Sequence, residues 1–267
     1  MTMREPIVAD PVAPTRGFHA VILAAGLGSR LRAALGDLPK PLLRVAGRSL
    51  IERSVACLGR HGLASLTVVV GYGAEALRST LAALAPGARI VENPAPAENG
   101  SMRSLALAVE AWGEACPEEA LVVEGDLLYG PDALEALAGA PRADATVLCS
   151  TPTGAGDEVW VLGRGDRVSE IGKSPSGPAP VLGELVGLSR VSRETLWAMA
   201  AGHRAGGVAS QTEHYEERLA TLAEERAIRA VVVEGLVWAE IDDVRHLERA
   251  LNVVLPALEA RAITARD

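Results

Sequence analysis

The feature that most constrains this chain is an apolar strand that breaks into small residues: Val21-Ile-Leu-Ala-Ala-Gly26-Leu-Gly28-Ser-Arg30-Leu31, followed shortly by Leu38-Pro-Lys40-Pro-Leu42. The run at 19–23 has the pattern of a core strand. Beyond it, Ala24, Ala25, Gly26 and Gly28 let the backbone approach a ligand closely and aim amide N–H groups at it. A helix start adds positive potential there, and Arg30 and Lys40 supply two cations. Such a loop suits a polyphosphate.

The residues around it supply the layers. Strand-like runs recur at 66–70, 89–91, 120–123 and 145–149, separated by helical spacing at 50–58, 74–84, 102–112 and 132–137. This alternation predicts βαβ units in an α/β, doubly wound, mostly parallel sheet covered on both faces. The second half changes character. Short strand-like pieces at 158–162, 167–171 and 182–189 predict a small antiparallel lobe, about 155–240, laid over the sheet's edge. A helix follows at 193–201, and the S-x-x-E spacing of Ser210-Gln-Thr-Glu213 predicts a helix start at Ser210. Residues 231–241 read as one strand, and a last helix runs from Asp242 or Asp243 to about 262.

With 267 residues, 49% of them apolar, the chain has enough for a single domain at 18–267, after an arm at 1–17 that reads as disordered. A net charge of −8 argues against a nucleic-acid partner, which needs a basic face, and favours small molecules. No apolar run approaches the ~20 residues of a membrane span, so the expectation is a cytoplasmic protein with no membrane partner. Cys57, Cys116 and Cys149 lack C-x-x-C spacing and read as reduced thiols. A second copy of the chain stays open as a partner.

Gly26-x-Gly28 also begins a dinucleotide fingerprint, as in an NAD-binding oxidoreductase, but that fingerprint's third glycine would fall on bulky Leu31. A kinase-type phosphate loop is absent. Residues 23–31 with 39–42 instead resemble the signature of nucleotidyltransferases of the sugar-nucleotide pyrophosphorylase type. The resemblance implies a nucleoside triphosphate against Leu23, Ala24, Ala25, Gly26 and Gly28, with Arg30 and Lys40 as catalytic cations. It also implies Mg²⁺-assisted attack by a substrate phosphate on the α-phosphorus, releasing pyrophosphate. Val122-Val-Glu-Gly-Asp126 ends a strand on an acid, and Glu240-Ile-Asp242 precedes the last helix. In the family these positions imply Asp126 and Asp242 as Mg²⁺ ligands, although Asp126 could open a turn and Asp242 or Asp243 could cap the helix. Asn99-Gly-Ser101 matches a segment used against base and ribose, and Tyr72, after Gly71, lies at another edge of the same crevice.

The chain stops where larger pyrophosphorylases continue into a left-handed β-helix, so the resemblance is to short members. Glu92-Asn93 with Asn99 and Ser104, Gly183-Glu184 with Gly187, and Tyr215-Glu216-Glu217 resemble the choline-phosphate and aminoethylphosphonate cytidylyltransferases. This implies CTP and an acceptor of the phosphocholine or 2-aminoethylphosphonate type. Lys173 would meet the acceptor's phosphate or phosphonate, and Glu184, Glu216 and Trp238, beside Tyr215, its head group. Gly100 stands where choline-phosphate enzymes tend to carry a second Asn. Sugar-1-phosphate and inositol-1-phosphate nucleotidylyltransferases are the alternatives, ahead of a non-catalytic nucleotide-binding module.

Overall fold

The computed structural model describes residues 17–264, so the first sixteen residues of the expected arm lie outside the described region. In chain order the first half contains β1 (Phe18–Ala24), α1 (Ser29–Leu35), the hairpin β2 (Arg44–Val45) and β3 (Arg48–Ser49), α2 (Leu50–Arg60), β4 (Leu63–Val70) and α3 (Ala74–Leu84). It continues through β5 (Arg89–Glu92), α4 (Ser101–Trp112), β6 (Glu119–Glu124), β7 (Leu127–Tyr129), α5 (Pro131–Gly139) and β8 (Ala145–Ser150). The second half contains β9 (Trp160–Arg164), β10 (Arg167–Gly172), β11 (Val181–Ser192), α6 (Arg193–Gly206), α7 (Tyr215–Thr221), β12 (Ile228–Val233), β13 (Trp238–Glu240), α8 (Val244–Arg249) and α9 (Leu255–Thr264).

Nine strands form the main sheet in the order β5-β4-β1-β6-β11-β8-β12-β10-β9. Parallel β4 and β6 flank β1, so the winding direction reverses beside β1 and opens a crevice at the strands' carboxyl ends. Alternation along β1 divides the core. Val21 and Leu23 face Met102, Leu105, Leu196 and Leu219 of α4, α6 and α7, whereas Ala20 and Ile22 face Ile51, Leu77 and Leu134 of α2, α3 and α5. A third cluster, including Leu31, Leu43, Ile241 and Val254, seats the last helices under the loop after β1.

The predicted α/β architecture holds, with three differences in detail. The antiparallel pieces do not lie over an edge: β11 runs antiparallel between β6 and β8 inside the sheet, and β10 with β9 extends it. Ser210 ends a 3-10 turn, and α7 starts only at Tyr215, boxed by His214 and Glu217. The reason is Arg218, which donates to Ser210 Oγ at 3.3 Å and to Glu213 at 2.9 Å and so occupies both expected capping side chains. The run at 231–241 breaks at Gly235, whose φ of 66° is left-handed, into β12 and β13; β13 pairs with β7 instead of the main sheet. Among the described residues no helix is long and apolar enough to cross a membrane.

Candidate active site

The crevice floor is built by close backbone approach. Gly125 donates to Leu23 O at 3.0 Å and Tyr72 to Ala25 O at 3.0 Å, which clamps the end of β1 from both sides. A Cβ on Gly125 would stand 2.7 Å from Leu23 O, and one on Gly71 2.8 Å from Ala25 O, so both strand ends need glycine there. The side chains of Leu23, Ala24 and Ala25 are buried in the core, which leaves only their backbone to face the crevice; Gly26 and Gly28 are more open.

Pairing of β13 with β7 sets Glu240 opposite Leu127, and Ile241 N donates to Asp126 O at 3.2 Å. That register brings Asp242 beside Asp126, 116 positions earlier in the chain. Asp243, not Asp242, caps α8, accepting from His246 N at 2.9 Å. Lys40, presented by a Pro-flanked 3-10 turn, lies between the two acids: its Nζ is 2.6 Å from Asp126 Oδ2 and also bonds Asp242 Oδ1. Arg30 donates to Asp242 Oδ2 at 2.7 Å and lies 3.7 Å from Asp157. Burial works against the Lys40 charge, but Asp126, Asp242 and Glu240 outweigh it and hold the ammonium well above the ordinary lysine range. Burial likewise opposes the Asp242 carboxylate, and Lys40 and Arg30 overcome it, holding the group well below the usual carboxylate range. The two expected cations and the two expected acids therefore meet in one network.

A second set of acids lies alongside. Glu124, Asp126 and Glu240 offer carboxylate oxygens within 4.8 Å of one another. Burial, then the charges of Glu216, Glu240 and Asp126, pushes Glu124 well above its ordinary value; burial, Asp126 and Asp242 do the same to Glu240. Neither Glu124 nor Glu240 is among the residues that the resemblance implies. A signal is present, because each ends its strand two residues before one of the two expected Mg²⁺ ligands. Asp157 and His246, 3.5 Å apart beside Asp242, had no such signal.

The remaining candidates divide. Asn99 donates to Ala95 O at 2.7 Å and closes its own loop, while Ser101 Oγ accepts from Tyr215 N at 3.0 Å, tying α4 to α7. Tyr72 donates to Asp37 at 3.2 Å under the Arg32 guanidinium, at the rim. Lys173 is exposed, and its charge reaches Glu216. Glu184 is spent on the loop after β8, accepting from Thr153 N at 2.5 Å and Thr153 Oγ1 at 3.0 Å. Trp238 is 4% exposed and donates to Ser150 Oγ at 2.9 Å; with Glu184 and Glu240 it lines a cavity of about 20 Å³, room for no more than a water. Tyr215 is 0% exposed, its hydroxyl 3.3 Å from Ser189 Oγ. The expected open aromatic faces are therefore closed, because both rings serve as core. A larger concavity, about 580 Å³, lies between α4 and α6 around Trp197, but its Arg204 is paired with Glu110 at 3.2 Å.

The chain has relatives among known proteins. The chain is 39% identical over 136 residues to CMP-5'-(3-aminopropyl)phosphonate synthase of Streptomyces rubellomurinus, covering 50% of this chain and 21% of that one. It is 30% identical over 243 residues to the bifunctional IPC transferase and DIPP synthase of Rubrobacter xylanophilus, covering 90% of this chain and 52% of that one. The chain thus spans about half or less of these curated relatives. Its fold matches the inositol-1-phosphate CTP transferase from T. maritima with a TM-score of 0.77 at 21% identity, covering 92% of this chain and 96% of that one. A family model described as the MobA-like NTP transferase domain matches residues 20–233, and the chain belongs to that nucleotidyltransferase family.

Proposed function

We propose that this protein transfers CMP from CTP to a small phosphonate or phosphate acceptor of the 2-aminoethylphosphonate or phosphocholine type, with release of pyrophosphate. The observation that carries the reading is the convergence of Lys40 and Arg30 on Asp126 and Asp242 beside the clamped loop. The names of the relatives support the cytidylyl choice, since one is a CMP-phosphonate synthase and a neighbour in fold is a CTP transferase.

In this reading the backbone amides after Ala25 meet the triphosphate, Asn99, Ser101 and Tyr72 border base and ribose, and Lys173 meets the acceptor's anionic end. An acceptor oxygen attacks the α-phosphorus; the new P–O bond forms as the bond between α-phosphorus and the bridging oxygen breaks, and pyrophosphate leaves. A phosphonate or phosphate dianion is already nucleophilic near neutral pH, so no side chain must remove a proton. Arg30 and Lys40 neutralise the charge that builds up, and alignment supplies the rest. Asp126 and Asp242 fit Mg²⁺: they offer oxygen donors only, Asp126 Oδ1 is buried without a hydrogen-bond partner, and both acids already bind a cation, Lys40. Bound there, the ion would offset phosphate charge and help orient the reacting groups. The reading also sets the protein in the cytoplasm, alongside its nucleotide.

The test is pyrophosphate release with the four NTPs crossed against 2-aminoethylphosphonate, phosphocholine, inositol-1-phosphate and hexose-1-phosphates. CTP with one of the first two is expected. Preference for a hexose-1-phosphate with UTP or GTP would refute the cytidylyl reading. Inositol-1-phosphate is the second reading, favoured by the extent of the match to the Rubrobacter relative.

A further inference from the structure

We infer that Asp157, delivered by the loop between β8 and β9, is a positioning residue that fixes the Arg30 guanidinium at the phosphate end of the crevice. The inference rests on the transfer reaction proposed above and adds to it the means by which one of its two cations is held.

The two cations are held very differently. The Lys40 side chain is 12% exposed and lies between two acids, whereas that of Arg30 is 54% exposed. Arg30 stands in the first turn of α1, a seven-residue helix without a side-chain cap. A long arginine side chain in that position has much rotamer freedom to lose before its charge is aligned. Asp242 anchors one end of the guanidinium, accepting from Nη2 at 2.7 Å, but its other oxygen is taken by Lys40. A single anchor leaves the group free to swing about it. Asp157 supplies a second point, with Oδ2 3.7 Å from Nη1. That is too long for a hydrogen bond and close enough for attraction between charges. Asp157 Oδ2 is buried without a hydrogen-bond partner, so its charge is left for the guanidinium.

The loop that carries Asp157 is itself pinned on both sides. Thr153 N and Oγ1 donate to Glu184 of β11 at 2.5 and 3.0 Å, which gives Glu184 a structural task in place of the expected contact with the acceptor. On the other side stands His246 of α8, 5% exposed, with Nε2 3.4 Å from Ala155 O and 3.5 Å from Asp157 Oδ1. Its Nδ1 accepts from the backbone N–H of Asp242 at 3.3 Å. A ring nitrogen that accepts carries no proton, so in the neutral imidazole Nε2 bears it and points it at Ala155 O and Asp157. Between the two anchors Gly154 and Gly156 have left-handed φ of 70° and 103°, a path that other residues rarely follow. The contacts close a ring: Asp242 backbone to His246, His246 to Asp157, Asp157 to Arg30, and Arg30 to the Asp242 carboxylate. Arg30 is thereby oriented relative to Asp242 from both sides.

The experiment measures kcat and KM for CTP by pyrophosphate release, with Mg²⁺ and the acceptor that the wild type uses fastest among those crossed above. It compares the wild type with Asp157→Ala, Arg30→Ala and the double variant. Asp157→Ala should lower kcat by about tenfold or more and leave KM for CTP within about threefold, because a misaligned group costs the reacting state more than the bound one. The double variant should be no more than about twofold slower than Arg30→Ala, since Asp157 then has nothing left to hold. Asp157→Asn, which keeps the shape and removes the charge, should match Asp157→Ala and serves as the second variant should that one fold poorly. Wild-type kcat in both Asp157 variants, or losses that multiply in the double variant, overturns the positioning role while leaving CMP transfer intact. So does loss of Mn²⁺ binding by Asp157→Asn, titrated without CTP, which would make Asp157 a metal ligand. Absence of pyrophosphate release from the wild type with every NTP and acceptor overturns the reaction itself, and the inference with it.

Discussion

The two ends of the crevice use the same residue type in opposite ways. At the phosphate end, Asp126 and Asp242 are matched by Lys40 and Arg30 at 2.6–2.7 Å, and burial is outweighed by attraction. At the other, Glu124, Glu216 and Glu240 are pushed upward by burial first and by neighbouring acids after it. The first end is complete before substrate arrives, with cations held ready for a polyanion.

The strongest way to break this contrast is Lys40→Met. Pyrophosphate release should fall by about 10²–10³-fold, as when a preorganised charge partner is removed from a reacting group. Thermal melting of the divalent-free protein should also drop and recover on adding Mg²⁺. Near wild-type turnover would mean that the matched end is structural only. Gly100→Asn addresses the other end. With Glu213 O 2.1 Å from the new Cβ, the loop must shift, and a loss of about 2–3 kcal/mol in urea unfolding is expected, with acceptor KM rising more than that for CTP.

The pH dependence of stability should separate the ends by sign. Acids raised in the fold, such as Glu216, contribute stability that is full below the ordinary glutamate value of 4.5 and lost as pH rises through the folded value. Asp242 is lowered, so its contribution is present above its ordinary 3.8 and lost as pH falls through the folded value. Without divalent ions, the unfolding free energy should therefore decline as pH rises above about 4.5, by at most about 1.4 kcal/mol per pH unit for each group, and Glu216→Gln should flatten that slope. A flat profile in the wild type would contradict the upward shift of Glu216. The smallest effect is expected for Trp238→Phe: about 1 kcal/mol for the lost bond to Ser150, with acceptor KM nearly constant. A tenfold rise in KM would restore an aromatic face to the acceptor end.

Which parts of this were legible in the sequence follows from how local each determinant is. The loop at 23–42 and the strands around it declare themselves through small residues and apolar runs, and the structure brings Arg30, Lys40, Asp126 and Asp242 together as that signature implies. Ser210 misled because its capping partner, Glu213, is drawn away by Arg218, a residue outside the four-residue pattern. The place of β11 was invisible, since antiparallel pairing with β6 and β8 depends on strands far from it in the chain. Glu124 and Glu240 are readable as the first acids of E-x-D pairs at two strand ends. The contact of Asp157 with His246 joins the loop before β9 to α8 and leaves no periodic trace.

The Lys40–Asp242 contact spans 202 positions, and this has a consequence for biosynthesis. As the chain leaves the ribosome, β1, β4, β5 and β6 can assemble once Glu124 has emerged, yet the nascent half-sheet holds Lys40 beside Asp126 alone. Insertion of β11 and then closure of β13 on β7 must follow before Asp242 arrives. The nucleotide loop is therefore among the first parts made, and the charge network beside it among the last completed, so the capacity for catalysis appears only when nearly the whole domain has folded.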